Sequence, residues 1–392
     1  MYDPARHEPL GDVAWSEARA RDTIAAICRD AEAAFDPARL WPLHPADEDP
    51  TTPADRILRG LYAGAAGMLH ALARLAGKGL HAPALDLAAV AAGLHEPALA
   101  SPDEPGAGAS LLMGSAGILA VAHRLAPSGA TADALAAAVG ANAEHPSNEL
   151  LLGSPGTMLA ARALHARTGE ERFAALWRAS ARTLLDRQDA DGLWTQDLYA
   201  TRRRHIGAGH GFAGVVHALR AAPPGWLDDA AGVATRAVAT CRAAAIVDGD
   251  AATWPVAAEG ARNPRRVQWC HGAPGMVIAL APLAPDDGEH GALMAAGGEL
   301  TWRAGALVHN AGLCHGAAGN GFAFLALLAR TGDELWLRRA RAFAMHALAQ
   351  VERFREADGR GRYSLYTGDV GPALLAAACL DGDPTFPGLD DL

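Results

Sequence analysis

Two Cys-His pairs occupy equivalent places in a repeated motif. The stretch CHGAPG begins at Cys270, and CHGAAG begins at Cys314, 44 residues further along the chain. A related stretch, GHGFAG, carries His210 at the position of the histidine in each pair. Thiolate and imidazole groups are the ligands that zinc binds in tetrahedral sites. If the fold brings these side chains together, Cys270, Cys314 and one or two of the histidines predict a zinc site.

The Cys-His pairs belong to a longer series of Gly-x-x-Gly motifs. Seven copies begin at Gly64, Gly114, Gly153, Gly211, Gly272, Gly316 and Gly368. Each copy opens an apolar segment typical of a buried helix, whereas the segments between copies alternate apolar and charged residues at helical spacing. This alternation predicts an all-α fold, a seven-fold (α/α)7 double-layered helical toroid whose inner helices begin at the motifs.

The extent of the repeats predicts one domain over residues 1–392. The seven helix pairs account for residues 56–380, and an N-terminal helix and loop account for residues 1–55. The amphipathic stretch SEARARDTIAAICRDAEAAF is expected to be an outer helix that closes the ring against the last repeat. The final stretch, GDPTFPGLDDL, is expected to be a frayed tail.

Equivalent positions of a closed ring face the same end of its cavity, so the side chains just before the motifs of repeats four to six should converge. They are His210, Cys270, His271, Cys314 and His315. Two cysteines with two histidines would close a structural zinc site, whereas two cysteines with one histidine would leave an open, catalytic position. Because repeat packing already fastens a toroid, we favour the open site, with water or a substrate thiol as fourth ligand.

An open zinc site of this composition points to thiol chemistry. Zinc lowers the pKa of a bound thiol and holds it as a thiolate near neutral pH, which makes the sulfur a nucleophile. Addition of that sulfur to an electron-poor alkene requires an acid that protonates the resulting enolate. His210 lies one repeat away at the equivalent position and suits this role.

Composition narrows the classes of partner and the compartment. A formal charge of −10 argues against nucleic-acid binding, which needs clustered basic residues. Five cysteines in a chain of 392 residues argue against a disulfide framework and indicate a reducing compartment. The sequence shows no apolar signal region and no uninterrupted apolar stretch of about twenty residues. We therefore expect a cytoplasmic protein without membrane insertion.

At these positions the sequence resembles the lanthionine synthetase C family, the cyclases that close thioether rings in lanthipeptides, and their LanC-like relatives. WCHGAPG, CHGAAG and GHGFAG resemble the three motif blocks of that family, and the seven repeats match its helical toroid. The resemblance implies that Cys270, Cys314 and His315 are the zinc ligands and that His210 is the catalytic histidine. It also implies an active-site role for Arg266, four residues before Cys270.

Two positions differ from the cyclases. Glu149 stands where they have an aspartate, and His271 stands where several of them have a tyrosine. We place both among the catalytic residues. Glu149 followed by LLLG, and the WCHGAPG block, are closer to the LanC-like proteins, whose eukaryotic members bind glutathione and add it to dehydroamino acids.

The resemblance implies a zinc-dependent enzyme that adds a thiol, from a peptide cysteine or from glutathione, to dehydroalanine or dehydrobutyrine and forms a thioether. Its partner would be a dehydrated peptide or protein, and dehydration would need a separate dehydratase or kinase. The alternative is a non-catalytic, zinc-containing LanC-like protein that binds glutathione or a peptide. Seven repeats instead of six argue against the α/α toroids of prenyltransferases and glycosidases.

Overall fold

A computed structural model describes residues 1–11, 13–47, 56–104, 106–198, 200–259 and 266–392, so residues 48–55 of the expected N-terminal loop lie outside the described chain. Its helices form two groups. The inner helices are α2 (Ala65–Gly77), α5 (Ser115–Leu125), α7 (Ser154–Thr168), α9 (Phe212–Arg220), α11 (Ala273–Leu280), α13 (Ala317–Thr331) and α15 (Val370–Asp381). The outer helices are α1 (Glu17–Ala33), α3 (Leu87–Ala92), α4 (His95–Ala100), α6 (Gly129–Asn142), α8 (Glu171–Asp186), α10 (Ala230–Ala244), α12 (Gly288–Ala304) and α14 (Glu334–Asp358).

The inner helices form a closed ring. Each of them packs on the next inner helix along the chain, and α15 packs on α2. The outer helices cover this ring, and α1 packs against α15 at the point of closure. The predicted seven-fold double layer is therefore present, and the N-terminal helix lies where its amphipathic pattern placed it.

Burial explains which helix enters which layer. In α7 every residue from Ser154 to Ala161 is buried, as expected for a helix that contacts protein on all sides. In α8 the buried side chains include Phe173, Trp177 and Leu184, which follow helical spacing and leave the opposite face to solvent. The apolar pattern of each segment thus determines its layer.

The Gly-x-x-Gly motifs allow each inner helix to begin against its own loop. The first glycine directly precedes the helix in six copies, whereas α15 begins at Val370, inside its motif. A Cβ on Gly156 would collide with the carbonyl oxygen of Leu150, and a Cβ on Gly319 would collide with that of Leu313. The motif is therefore a packing device, because only glycine permits this approach.

Backbone hydrogen bonds connect the loops before neighbouring inner helices. The residue two positions before the first glycine donates its amide hydrogen to the carbonyl oxygen of its equivalent in the neighbouring repeat. These bonds run from Gly209 to Cys270 (3.2 Å), Cys270 to Cys314 (3.2 Å), Cys314 to Tyr366 (2.8 Å), Tyr366 to Tyr62 (3.1 Å) and Tyr62 to Leu112 (2.8 Å). The loops of these repeats share one register at one end of the ring.

Short strands add local pairings to the helical frame. They are β1 (His7–Glu8) with β6 (Ala306–Leu307), β2 (Gln196–Leu198) with β3 (Thr201–Arg203), and β4 (Ile246–Asp248) with β5 (Ala251–Thr253). The first pair attaches the N-terminal segment to the loop between α12 and α13. Among the described helices, none has both the length and the apolar character that crossing a membrane requires.

The prediction of a frayed tail was wrong, because residues 385–392 pack inside the ring. The ring of Phe386 is fully buried and stacks on Trp269, with centroids 5.1 Å apart. Leu389 is buried as well. Trp269 directly precedes Cys270, so this segment lies behind the loop that carries the first Cys-His pair.

Charged side chains hold the same segment. Asp391 accepts a hydrogen bond from Arg74 at 2.6 Å, and Asp390 lies 2.9 Å from the imidazole of His217. Their partners belong to α2 and α9, which are far apart in sequence. The proline, glycine and aspartate residues of this segment are typical of an exposed terminus. In the folded protein, however, basic side chains of the inner helices pair with its carboxylates.

Candidate active site

Three ligating side chains converge where α11 and α13 begin. The sulfur atoms of Cys270 and Cys314 and an imidazole nitrogen of His315 lie within 4.8 Å of one another. Both cysteines are buried, and His315 is half-buried. The hydrogen bond from the Cys270 amide to the Cys314 carbonyl oxygen, at 3.2 Å, joins the two loops that carry them. The shared register of the repeats is thus what assembles the cluster.

The cluster fits a tetrahedral zinc ion. Zinc–sulfur bonds of about 2.3 Å and zinc–nitrogen bonds of about 2.0 Å place these ligand atoms roughly 3.5–3.8 Å apart, within the observed limit of 4.8 Å. All five cysteines are free thiols, so no disulfide competes for either sulfur. His271 does not belong to the group of converging ligand atoms in the described chain. The donor set is therefore two thiolates and one imidazole, which leaves one coordination position for a further ligand.

The pKa of Cys270 is shifted in the opposite direction to those of Cys28, Cys241 and Cys314. Interaction with the neighbouring thiol of Cys314 lowers the pKa of Cys270 well below its ordinary value, and His315 adds to this effect against the opposing influence of burial. The same interaction, together with burial, raises the pKa of Cys314. Burial raises the pKa of Cys28 and Cys241 to about 12. The two thiols of the cluster therefore influence each other, and burial alone does not set their pKa values.

Glu149 and His210 form a pair close to the cluster. Glu149 is fully buried, and its carboxylate oxygens accept hydrogen bonds from the amides of Leu151 (2.8 Å) and Leu152 (2.6 Å). One oxygen lies 3.5 Å from Nδ1 of His210, which is an ion-pair distance and too long for a good hydrogen bond. Burial favours the neutral imidazole, but Glu149 and Cys270 outweigh it and raise the pKa of His210.

Two more imidazoles border His210. The ring of His271 stacks on that of His210 with centroids 5.4 Å apart, and His205 lies 5.9 Å from His271. Burial lowers the pKa of His271 to about 4 and also lowers that of His205. His210 therefore retains a proton to higher pH than either neighbour. The sequence analysis missed His205, although it precedes its glycine by six residues, as Arg266 does.

Arg266 lies at the exposed edge of the site. Burial lowers the pKa of Arg6, and the charge of Arg266 lowers it further. Burial is also the main cause of the lowered pKa of His271, to which Arg266 makes a smaller contribution. These effects place the guanidinium group within electrostatic range of both side chains. Arg266 is thus a cation at the rim, on the side where the N-terminal segment approaches.

Tyr62 and Tyr366 occupy the position of the two cysteines in repeats one and seven. The ring of Tyr62 stacks on that of Tyr366 with centroids 5.0 Å apart. Cys270 and burial raise the pKa of Cys314, and Tyr62 lies near enough to that thiol to oppose them. Both residues stand two positions before the first glycine of their repeats, as Cys270 and Cys314 do. The sequence analysis assigned them no role, but this shared position could have indicated that Tyr62 reaches a thiol.

Comparison with known proteins agrees with the architecture. The model of the family described as lanthionine synthetase C-like protein matches residues 59–390. The chain belongs to this family. The match extends from the loop before α2 to the buried segment after α15, so it includes all the loops that carry the cluster. The family and the fold class predicted from the sequence are both confirmed.

Individual relatives match shorter parts of this family member. LanC-like protein GCL1 of Arabidopsis thaliana is 35% identical over 139 residues, which are 34% of this chain and 32% of the relative. Glutathione S-transferase LANCL1 of Danio rerio is 45% identical over 80 residues, 20% of each chain. The matches thus span a third or less of these curated relatives. A solved structure of nisin cyclase has the same fold, with a TM-score of 0.62 over 95% of each chain at 13% identity.

Proposed function

We propose that this lanthionine synthetase C-like protein is a zinc-dependent enzyme that adds a thiol to dehydroalanine or dehydrobutyrine and forms a thioether. The observation that supports it is the convergence of Cys270, Cys314 and His315 within 4.8 Å, close to His210. These three side chains would hold the zinc ion. When bound, zinc would keep an incoming thiol ionised near neutral pH.

His210 would complete the addition as the acid. The thiolate sulfur forms a bond to the β-carbon of the alkene, the double bond opens, and the α-carbon takes up one proton. The raised pKa of His210 keeps that proton available. Glu149 would act as a positioning residue, because its buried carboxylate faces the imidazole and sustains its charge.

His271 and Arg266 would support this chemistry from the rim. With a pKa near 4, His271 is neutral at physiological pH and stacks on His210 without competing as a proton donor. Arg266 would attract a carboxylate of the peptide or of glutathione, since guanidinium groups pair well with carboxylates.

Glutathione is the thiol we propose to test first. Glu149 and the WCHGAPG block resemble the LanC-like branch, and one relative is named a glutathione S-transferase. A cysteine of the substrate peptide is the second source, and the chain shares its fold with nisin cyclase. In either case another protein would have to produce the dehydrated residue.

The first experiment measures zinc stoichiometry and sulfur coordination in the purified protein. We expect one zinc per chain with two sulfur neighbours by X-ray absorption, and loss of the metal in Cys270→Ala and in Cys314→Ala. Cys241→Ala is the matched control, because this buried thiol lies outside the cluster and should leave zinc binding unchanged. A wild-type protein without zinc after anaerobic purification would overturn the proposal.

The second experiment distinguishes catalysis from binding. The wild type should add glutathione to a dehydroalanine peptide, and His210→Asn should lose turnover while it retains zinc and thiol binding. Mass spectrometry of the peptide and calorimetry with glutathione measure the two properties separately. Tight thiol binding without turnover in the wild type, with any dehydrated peptide offered, would favour the non-catalytic alternative.

A further inference from the structure

Gln268 contacts the sulfur of Cys270. It lies two residues before Cys270, and its side chain is only 5% exposed. Two backbone hydrogen bonds of 3.2 Å pair Gln268 with His271 in both directions, which closes a tight turn around Cys270. Within this turn, Nε2 of Gln268 donates a hydrogen bond to the sulfur of Cys270 at 2.9 Å.

The orientation of the Gln268 amide is fixed from its other side. Arg6 donates a hydrogen bond to Oε1 of Gln268 at 3.2 Å. A guanidinium group has donors and no acceptor, so only the amide oxygen can face Arg6, and the NH2 group must face the sulfur. Arg6 is held in turn, because its carbonyl oxygen accepts the amide of Val308 at 3.1 Å beside the β1–β6 pair.

We propose that Gln268 is a positioning residue for the metal site, which holds the sulfur of Cys270 as a hydrogen-bond acceptor, and that Arg6 keeps its amide in the orientation required. The proposal rests on the proposed function, because it assumes that Cys270 binds zinc. A hydrogen bond to a ligating thiolate withdraws charge from the sulfur, fixes its direction and so affects both metal affinity and metal electronics.

The repeat supports this assignment independently. Gln268 stands four residues before Gly272, and Glu149 stands four residues before Gly153. In repeat three this position supplies the carboxylate that faces His210. In repeat five it supplies the amide that faces Cys270. The same register thus places a buried polar side chain behind a reactive group twice.

The test compares zinc affinity and cobalt spectra of four proteins: wild type, Gln268→Met, Arg6→Met and the double variant. Methionine is close to glutamine in size but cannot donate to sulfur. We expect Gln268→Met to weaken zinc binding by roughly 10- to 100-fold, the usual effect of removing a hydrogen bond from a metal ligand. In the cobalt-substituted protein, the thiolate-to-cobalt charge-transfer band should move to lower energy, because the sulfur orbitals lose stabilisation.

Arg6→Met should also weaken zinc binding, but less than Gln268→Met does. It should add nothing in the Gln268→Met background, because both substitutions act through one amide.

Gln268→Glu is a second probe. It keeps the size of the side chain and the contact with Arg6, but it presents an acceptor to the sulfur, so it should also weaken binding. Circular dichroism verifies that each variant is folded.

Gln350→Met is the matched control. Gln350 is fully buried and donates hydrogen bonds of 2.9 and 2.7 Å to Glu8 and to the carbonyl oxygen of Leu307, so it supports the same strands without touching sulfur. Its zinc affinity should equal that of the wild type.

Unchanged affinity and an unchanged cobalt band in Gln268→Met would overturn this inference alone. Equal effects of Arg6→Met in both backgrounds would overturn the part assigned to Arg6. Absence of zinc from the wild type would instead remove the proposed function.

Discussion

Replacing Glu149 by glutamine tests whether a buried carboxylate controls the protonation of His210. Both oxygens of Glu149 accept backbone amides, from Leu151 at 2.8 Å and from Leu152 at 2.6 Å. The NH2 group of a glutamine would have to face one of these donors. One hydrogen bond is then lost and one buried N–H is left without a partner, so we expect the free energy of unfolding to fall by about 1–3 kcal/mol.

The same substitution removes a negative charge 3.5 Å from Nδ1 of His210. Burial lowers the pKa of His210 and Glu149 raises it, so without the carboxylate the pKa should fall. In the proposed mechanism the protonated imidazole is the acid, so the alkaline limb of the pH–rate profile should move to lower pH. The pair stabilises the native state below the unfolded pKa of histidine, about 6.5, and this contribution is lost as the pH rises through the higher folded value.

Rates of glutathione addition against pH, together with urea unfolding, measure both effects. Glu32→Gln is a matched control, because Glu32 also accepts two backbone amides, from Ala84 (2.8 Å) and Leu85 (3.2 Å), and lies 3.1 Å from the imidazole of His81. It should reduce stability without moving the pH–rate profile. If Glu149→Gln leaves the alkaline limb where it is in the wild type, Glu149 does not sustain the charge of His210.

Three further predictions concern the ring. Phe386→Ala should lower the free energy of unfolding, measured with urea, by roughly 3–5 kcal/mol, because the phenyl group is fully buried. A loss below about 1 kcal/mol would mean that the segment is frayed. Gly319→Ala should lower the melting temperature, because its Cβ meets the Leu313 carbonyl oxygen, whereas Gly129→Ala, with open space around it, should not. His70 and Arg74 outweigh burial and lower the pKa of Asp391, so its contribution is present above about pH 4 and lost in acid. Melting curves of Asp391→Asn should therefore depend less on acidic pH than those of the wild type, and equal dependence would contradict this.

The candidate site was partly predictable, because its register repeats. Cys270, Cys314 and His315 follow from two copies of one motif, and the ring brings equivalent positions together. His205 and Gln268 did not follow from the motif, since neither belongs to the Cys-His-Gly block that repeats. Their roles depend on side-chain direction, which spacing in the sequence does not specify.

The amino-acid sequence alone determined the number of helix pairs, their two layers and the end of the ring at which the reactive residues lie. These properties are local and periodic: each Gly-x-x-Gly starts one helix, and each apolar pattern selects one layer. The tertiary structure alone decided that residues 385–392 lie inside the ring and that the amide of Gln268 faces a sulfur. Both depend on partners that are distant in the chain: Arg74 pairs with Asp391, and Arg6 pairs with Gln268. These residues come into contact only when the ring closes.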